Sequence, residues 1–230
     1  MAKQLQHIVS LSEHAFFSIA AAALEAYEIA RVSSQASPHV PIESYGNLWG
    51  YEAKSSRGER VLHISMADIE MSADCGPGSA QPQDESFKLK RNLIDRFRPE
   101  LEYLGDFHSH PYDLVNDDVK SALEVERQTY YRFSPSDFVH AKALKATRDY
   151  RVGIVTTVFK LANGFRRKDE YVRTDTENYS CIRFSYDDFT IWIKAHVYAE
   201  KNAIDDQRIA LLCPAIGFHA GMIENQSRDL

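Results

Sequence analysis

The stretch Tyr103-Leu104-Gly105-Asp106-Phe107-His108-Ser109-His110-Pro111 is an extended apolar run ending in two imidazoles one residue apart. Along a strand, residues i and i+2 share a face, so His108 and His110 converge on one point while Ser109 faces away. Pro111 has no N–H for a sheet ladder and is expected to stop the strand, leaving both imidazoles accessible at its end. That arrangement suits a metal ion. An H-x-H pair also occurs in ordinary core and surface strands, so the rest of the chain must supply what two histidines lack.

Working outward, Asp84 to Arg98 reads as a helix with Phe87, Leu89, Leu93, Ile94 and Phe97 on its apolar side, ending before Pro99. Upstream, Ile42 to Tyr51 alternates like a strand and contains Gly46 and Gly50, which in a strand mark a bulge or a close backbone approach. Arg60 to Met66 is its hairpin partner, and Ser72 to Gln83 is a loop. Ser10-Leu11-Ser12-Glu13 reads as a capping box opening a long first helix to about Val32, with a loop from Ser33 to Pro41. Downstream, Asn116 to Tyr131 predicts a short inserted helix, and Ser134-Pro135-Ser136-Asp137 opens another helix, Pro135 to about Thr147. Arg151 to Lys160 is a buried strand returning through a turn at Ala162-Asn163-Gly164 to Phe165 to Val172. A short strand follows near Cys181 to Phe184, and Asp187 or Asp188 caps a helix through Ile191, Trp192, Ala195 and Tyr198. The tail from Glu224 has little to bury. The expected fold class is α/β in the α+β sense, a mixed, mainly antiparallel sheet flanked by helices.

The totals agree with one domain and an extension. The 230 residues are 44% hydrophobic, enough for a substantial core, and the net charge of −6 argues against binding a phosphate backbone. The cluster Arg166-Arg167-Lys168 reads as a turn rather than a nucleic-acid patch. No apolar run is long enough to span a membrane and no leader is evident, so a cytoplasmic protein is expected. Cys75, Cys181 and Cys213 form no C-x-x-C pair and predict neither a disulfide framework nor a thiolate cage.

A catalytic zinc takes three protein ligands and leaves a position for water. Asp137 is the favoured third ligand, because a carboxylate in the first turn of a helix is held ionised by unpaired backbone donors. Capping by Ser134, Pro135 and Asp137 explains the same residues, and both roles can coexist. A base is also required, and Glu43, a charged residue at the start of a strand with no packing reason to be there, is available. Simple exposure to solvent would explain it equally.

Taken together, Glu43, Gly46-x-Leu48-x-Gly50, His108-Ser109-His110-Pro111 and Ser134-x-x-Asp137 resemble the JAMM signature of the JAB/MPN metalloprotease family. The resemblance runs from about residue 8 to 175 and implies a cytidine-deaminase-like MPN/JAB domain, with an insertion at about 112–133 and an extension, 176–230, packed on the same domain. It implies that His108, His110 and Asp137 bind one zinc per chain, that Glu43 activates the bound water, and that Ser134 donates a hydrogen bond to the oxyanion. One departure stands out: 26 residues separate His110 from Asp137, where the family pattern has ten. Ser121 occupies the family spacing and cannot replace a carboxylate, while Asp113, Asp117 and Asp118 are rival ligands within the insertion. The inserted helix could cover the site as a lid or recognise a partner.

The implied activity is that of a deubiquitinase-like isopeptidase acting on a ubiquitin-like protein or its conjugate, after C-terminal glycines held as an added strand. Bacterial relatives in that family accompany ubiquitin-like conjugation systems, some in antiphage defence. A sulfur-carrier or small-molecule amide hydrolase on the same fold, and a catalytically silent scaffold, are the competing expectations. His7, His14, His39, His63, His140, His196 and His219 read as ordinary surface or core residues.

Overall fold

The computed structural model describes residues 5–29, 40–113, 117–161, 168–172, 179–199, 202–203 and 206–220. In chain order the elements are β1 (His7–Leu11), α1 (Glu13–Glu28), β2 (Tyr45–Lys54), β3 (Arg60–Ile69), β4 (Asp74–Gly76), β5 (Ser79–Gln81) and α2 (Asp84–Phe97). They continue as β6 (Glu102–Tyr112), α3 (Ala122–Arg127), α4 (Pro135–Thr147), β7 (Val152–Lys160), β8 (Glu170–Tyr171), β9 (Cys181–Tyr186), β10 (Phe189–Ala199), β11 (Asn202–Ala203) and β12 (Ile209–Leu212). The fold is mixed α and β. Its main sheet runs β12-β1-β3-β2-β6-β7-β10-β9-β8, with β11 paired to β10 and β4-β5 forming a separate hairpin. Five of the neighbour pairs along that path are antiparallel; β12-β1, β1-β3 and β6-β7 are parallel. Strands on both sides of residue 175 thus share one sheet.

Helix α1 lies on one face, where Phe16, Ile19 and Ala23 join a core with Leu62, Leu104 and Ile154. On the other face Trp49, Tyr103 and Val155 pack with Ile94 of α2 and Leu144 of α4. The insertion is part of the core rather than a flap on it. Val119, Ala122, Val125 and Tyr131 bury against Phe159 and Trp192, and Glu126 accepts from the Trp192 indole at 3.2 Å while pairing with Arg183.

Gly46 and Gly50 behave as expected of strand glycines. A Cβ on Gly46 would lie 2.1 Å from the Asp68 carbonyl oxygen and one on Gly50 1.8 Å from that of His63. The β2–β3 register also shifts between Trp49 and Gly50. A second bulge matters more for the site: Leu48 pairs with Gly105 and Trp49 with Tyr103, leaving Leu104 as the extra residue.

Several expectations are corrected. Ser10 lies in β1, and the helix begins under Ser12, whose hydroxyl accepts from the Ala15 N–H. The cap therefore falls two residues later than expected, because a short parallel strand comes first. Helix α1 ends at Glu28, with Ile29 extended, rather than near Val32. The loop before α2 contains the β4–β5 hairpin. Pro111 does not stop β6, which reaches Tyr112: pairing with β2 ends at His108, so the missing N–H meets no ladder on that side.

The largest correction is at 189–199, which is strand β10 and not a helix. Ile191, Ala195 and Tyr198 are spaced like a helical face, but the run also alternates, Ile191, Ile193, Ala195 and Val197 on one face with Thr190, Lys194 and His196 on the other, and the strand buries both faces. β10 is the antiparallel partner of β7, and Glu170–Tyr171, the described strand of the expected return segment Phe165 to Val172, pairs with β9 at the sheet edge. The expected start at Asn116, the turn at 162–164, Arg166-Arg167, the loop over 33–39 and the tail from Glu224 lie outside the described residues.

Candidate metal centre

Beyond the bulge at Leu104, Asp106, His108 and His110 share a face of β6 near its end. The two Nε2 atoms stand 3.1 Å apart. Asp137 comes to them from the first turn of α4, its Oδ2 lying 3.4 Å from His108 Nε2 and 3.2 Å from His110 Nε2. Ligands about 2.0–2.1 Å from a tetrahedral zinc stand about 3.3 Å from one another, so this triangle fits one face of a metal's coordination shell. Among the described residues, His108, His110 and Asp137 are the group able to hold a metal ion.

Asp137 also caps. Its Oδ2 accepts from the Ser134 N–H at 2.6 Å while the Ser134 hydroxyl oxygen accepts from the Asp137 N–H at 3.3 Å. The capping box orients the carboxylate, and the same oxygen faces the imidazoles, so the two readings of this segment are one arrangement. The rivals stay apart. Asp117 accepts from the Asp113 N–H, and the Asp118 side chain is 84% exposed beside Lys120. Ser121 caps α3.

The insertion contributes to the ligand geometry. His110 Nδ1 lies 3.3 Å from the Tyr130 carbonyl, which also accepts from Thr157. That bond keeps the proton on Nδ1 and leaves Nε2 as the ligand atom. The His108 ring leans on Phe133, which stacks on His196 at 4.2 Å.

Burial alone would raise the Asp137 carboxyl, but the imidazoles of His108 and His110 beside it hold it well below the usual carboxylate range. Burial pushes the His110 imidazole down, so it is neutral. For His108 burial acts downward too, yet Asp137 outweighs it and the net shift is upward. An ionised carboxylate and a neutral imidazole are the ligand forms, so a cation held here would need His108 in its neutral form.

Glu43 lies two residues before β2 and is only 8% exposed, which corrects its placement on the strand and excludes the solvent reading. Two contacts set its position. The Glu43 N–H donates to the Gly76 carbonyl in the β4–β5 hairpin, and the Ser44 N–H donates to the Ser109 hydroxyl at 2.7 Å. Ser109, pointing away from the histidines, thus ties the glutamate's segment to their strand. Burial pushes the Glu43 carboxyl up to about 7; His108 acts against this and Asp137 with it.

Sequence reasoning missed the support behind the histidines. Asp106 is buried and accepts from the Tyr45 and Tyr150 hydroxyls at 2.9 and 2.8 Å, with His140 Nε2 at 3.7 Å. A charged residue two before His108 inside an apolar run was the available signal. His196 Nε2 accepts from the Phe133 N–H at 3.3 Å, whereas His140 Nε2 is buried without a hydrogen bond among the described residues. Glu43, His108, Ser136, Asp137 and His140 line a cleft of about 100 Å³, with Gly78 to Gln81 of the hairpin as its other wall. The Ser134 hydroxyl, expected at the oxyanion, shares a 2.8 Å hydrogen bond with that of Ser136. From Glu43 a wider groove of about 470 Å³ runs between α1 and the end of β3, past Ala22, Ala26, Ile42, Ile69 and Met71.

No protein-family model matches the chain, and no curated protein matches it by sequence. No helix among the described residues is long and apolar enough to cross a membrane, and Cys181 and Cys213 are buried free thiols.

Proposed function

We propose that this chain is a zinc-dependent isopeptidase of the JAMM type, holding one zinc per chain and releasing a ubiquitin-like modifier after its C-terminal glycines. A bacterial ubiquitin-like conjugation system, including one in antiphage defence, is the setting this reading favours. One observation carries it: three ligand atoms from β6 and α4 converge within 3.4 Å of one another, with a buried glutamate beside them. The residue pattern resembling the JAMM signature supplies the reaction class.

His108, His110 and Asp137 would hold the ion, which would supply Lewis acidity, lowering the pKa of water to about 7 and polarising a carbonyl. Glu43 takes up a proton near neutral pH and delivers it to the leaving nitrogen; a carboxyl pushed up to about 7 by burial is matched to that task. Ser134, freed from Ser136 by rotation of its hydroxyl, donates to the developing oxyanion. The narrow cleft favours glycine over larger side chains, and the groove of about 470 Å³ beyond Glu43 offers apolar walls to an extended tail.

The test is hydrolysis of ubiquitin-like fusions ending in Gly-Gly, with metal content measured on the same preparations. Glu43→Gln is expected to keep its zinc and lose turnover by about 10²-fold or more. Unchanged turnover removes Glu43 from the reaction, and a wild-type protein without bound metal removes the peptidase reading altogether.

A further inference from the structure

Helix α3 ends in a turn that its sequence does not favour. The Thr129 N–H donates to the Glu126 carbonyl at 3.1 Å and the Tyr130 N–H to the Val125 carbonyl at 2.9 Å. This is the Schellman pattern, in which the residue after the cap is left-handed and glycine is usual. Here that residue is Thr129, at φ 58°. A β-branched side chain is disfavoured at such a φ, and strain of this kind persists only where the surroundings fix it.

The surroundings do fix it. Glu126, whose carbonyl receives Thr129, also accepts from the buried Trp192 indole and pairs with the buried Arg183 through its carboxylate. Val125 is fully buried. The Tyr130 ring stacks on Tyr112 at 4.7 Å, and Tyr112 follows His110 on the same face of β6. What the turn presents is one acceptor, the Tyr130 carbonyl, 3.3 Å from both His110 Nδ1 and Thr157 Oγ1. We propose that this turn is a clamp on the metal centre: Thr129 and Tyr130 are positioning residues that set the zinc affinity of His108, His110 and Asp137, and zinc in turn holds the insertion docked.

The clamp rests on the reading of those three residues as zinc ligands. An imidazole already held at one nitrogen loses less freedom when the other coordinates, and outer partners of this kind are worth about 10–100-fold in metal affinity. Coupling between two binding events is reciprocal, so the same factor appears as tighter docking of the turn when zinc is bound. A lid would have to lift, whereas Val119, Ala122, Val125 and Tyr131 are buried in the core.

Metal-free full chain titrated with zinc against a competing chromophoric chelator reads the affinity, and deuterium exchange with and without zinc reads the docking. Thr129→Gly keeps the left-handed turn and is expected to bind zinc as wild type does. Thr129→Pro can neither reach φ 58° nor donate to Glu126, and is expected to bind about 10–100-fold more weakly. In wild type, zinc is expected to slow exchange at the Thr129 and Tyr130 amides by about tenfold or more, while the amides of α2 keep their metal-free rates. That measurement needs no variant, so it decides even where Thr129→Pro fails to fold. Thr129→Pro binding zinc at wild-type strength overturns the proposal, as does Thr129→Gly binding as weakly as Thr129→Pro. So does zinc that leaves both amides at their metal-free rates or slows α2 equally. A wild-type chain that takes up no zinc overturns the metal centre itself, whereas one that binds zinc with those amides unprotected overturns the clamp alone.

Discussion

Replacing Glu43 by glutamine in metal-free protein removes a carboxyl whose burial costs stability only when it is ionised. The folded carboxyl titrates near 7, against 4.5 when free of the fold. Below pH 4.5 it is neutral in both states and wild type and variant should be equally stable. Between 4.5 and 7 the unfolded carboxyl ionises while the folded one resists, so wild-type stability falls as pH rises; above 7 the loss is complete. At about 1.4 kcal/mol for each tenfold change in the proton equilibrium, the full gap is about 3 kcal/mol. For a chain of this size that corresponds to a melting-temperature difference of about 6–12 °C in favour of Glu43→Gln. Thermal or urea unfolding of chelator-treated protein from pH 4 to 9, wild type beside variant, reads this directly. A difference that stays flat across that range would refute a buried Glu43 beside Asp137, and with it the geometry assigned to the base.

Asp137→Ala should abolish stoichiometric metal binding in titration calorimetry while Asp118→Ala, on an exposed side chain, leaves it unchanged. Because the folded Asp137 carboxyl is depressed, the stability it contributes is present above about pH 4 and lost as pH falls. Asp137→Asn should therefore flatten the acid limb of the unfolding profile of metal-free protein. Asp106→Ala leaves the Tyr45 and Tyr150 hydroxyls without their acceptor, a loss of about 1–3 kcal/mol for each, read as a lower urea midpoint. Ser109→Ala removes the oxygen that holds the Ser44 N–H. It should lower turnover while metal content stays at the wild-type level, since neither histidine depends on that hydroxyl.

Much of the site was legible because it is written in short-range patterns. The i, i+2 spacing of His108 and His110 needs only a strand to make them converge, and Ser134-Pro135-Ser136-Asp137 needs only a helix start to aim a carboxylate outward. Helix α4 spans Pro135–Thr147 as its sequence predicts, and α2 ends one residue earlier than expected. Strand β10 was less legible because two periods fit it: Ile191, Ala195 and Tyr198 suit a helical face, while Ile191, Ile193, Ala195 and Val197 alternate with Thr190, Lys194 and His196 as in a strand, and only the sheet shows that the polar face is buried too. The charge of Asp106 inside an apolar run marks it as unusual, but its partners Tyr45 and Tyr150 lie 61 and 44 residues away, and only the fold brings them to it.

From its sequence alone, this protein was committed to a strand that pairs two imidazoles, a capped helix offering an aspartate, and a mixed α and β architecture, since each rests on backbone and periodicity within a dozen residues. Tertiary structure alone decided which aspartate reaches the imidazoles across an insertion, that Glu43 is buried beside them through Ser109 and Gly76, and that residues 189–199 are a central strand. Those outcomes depend on sheet order and on which surfaces exclude water, and neither is encoded in the spacing of neighbouring residues.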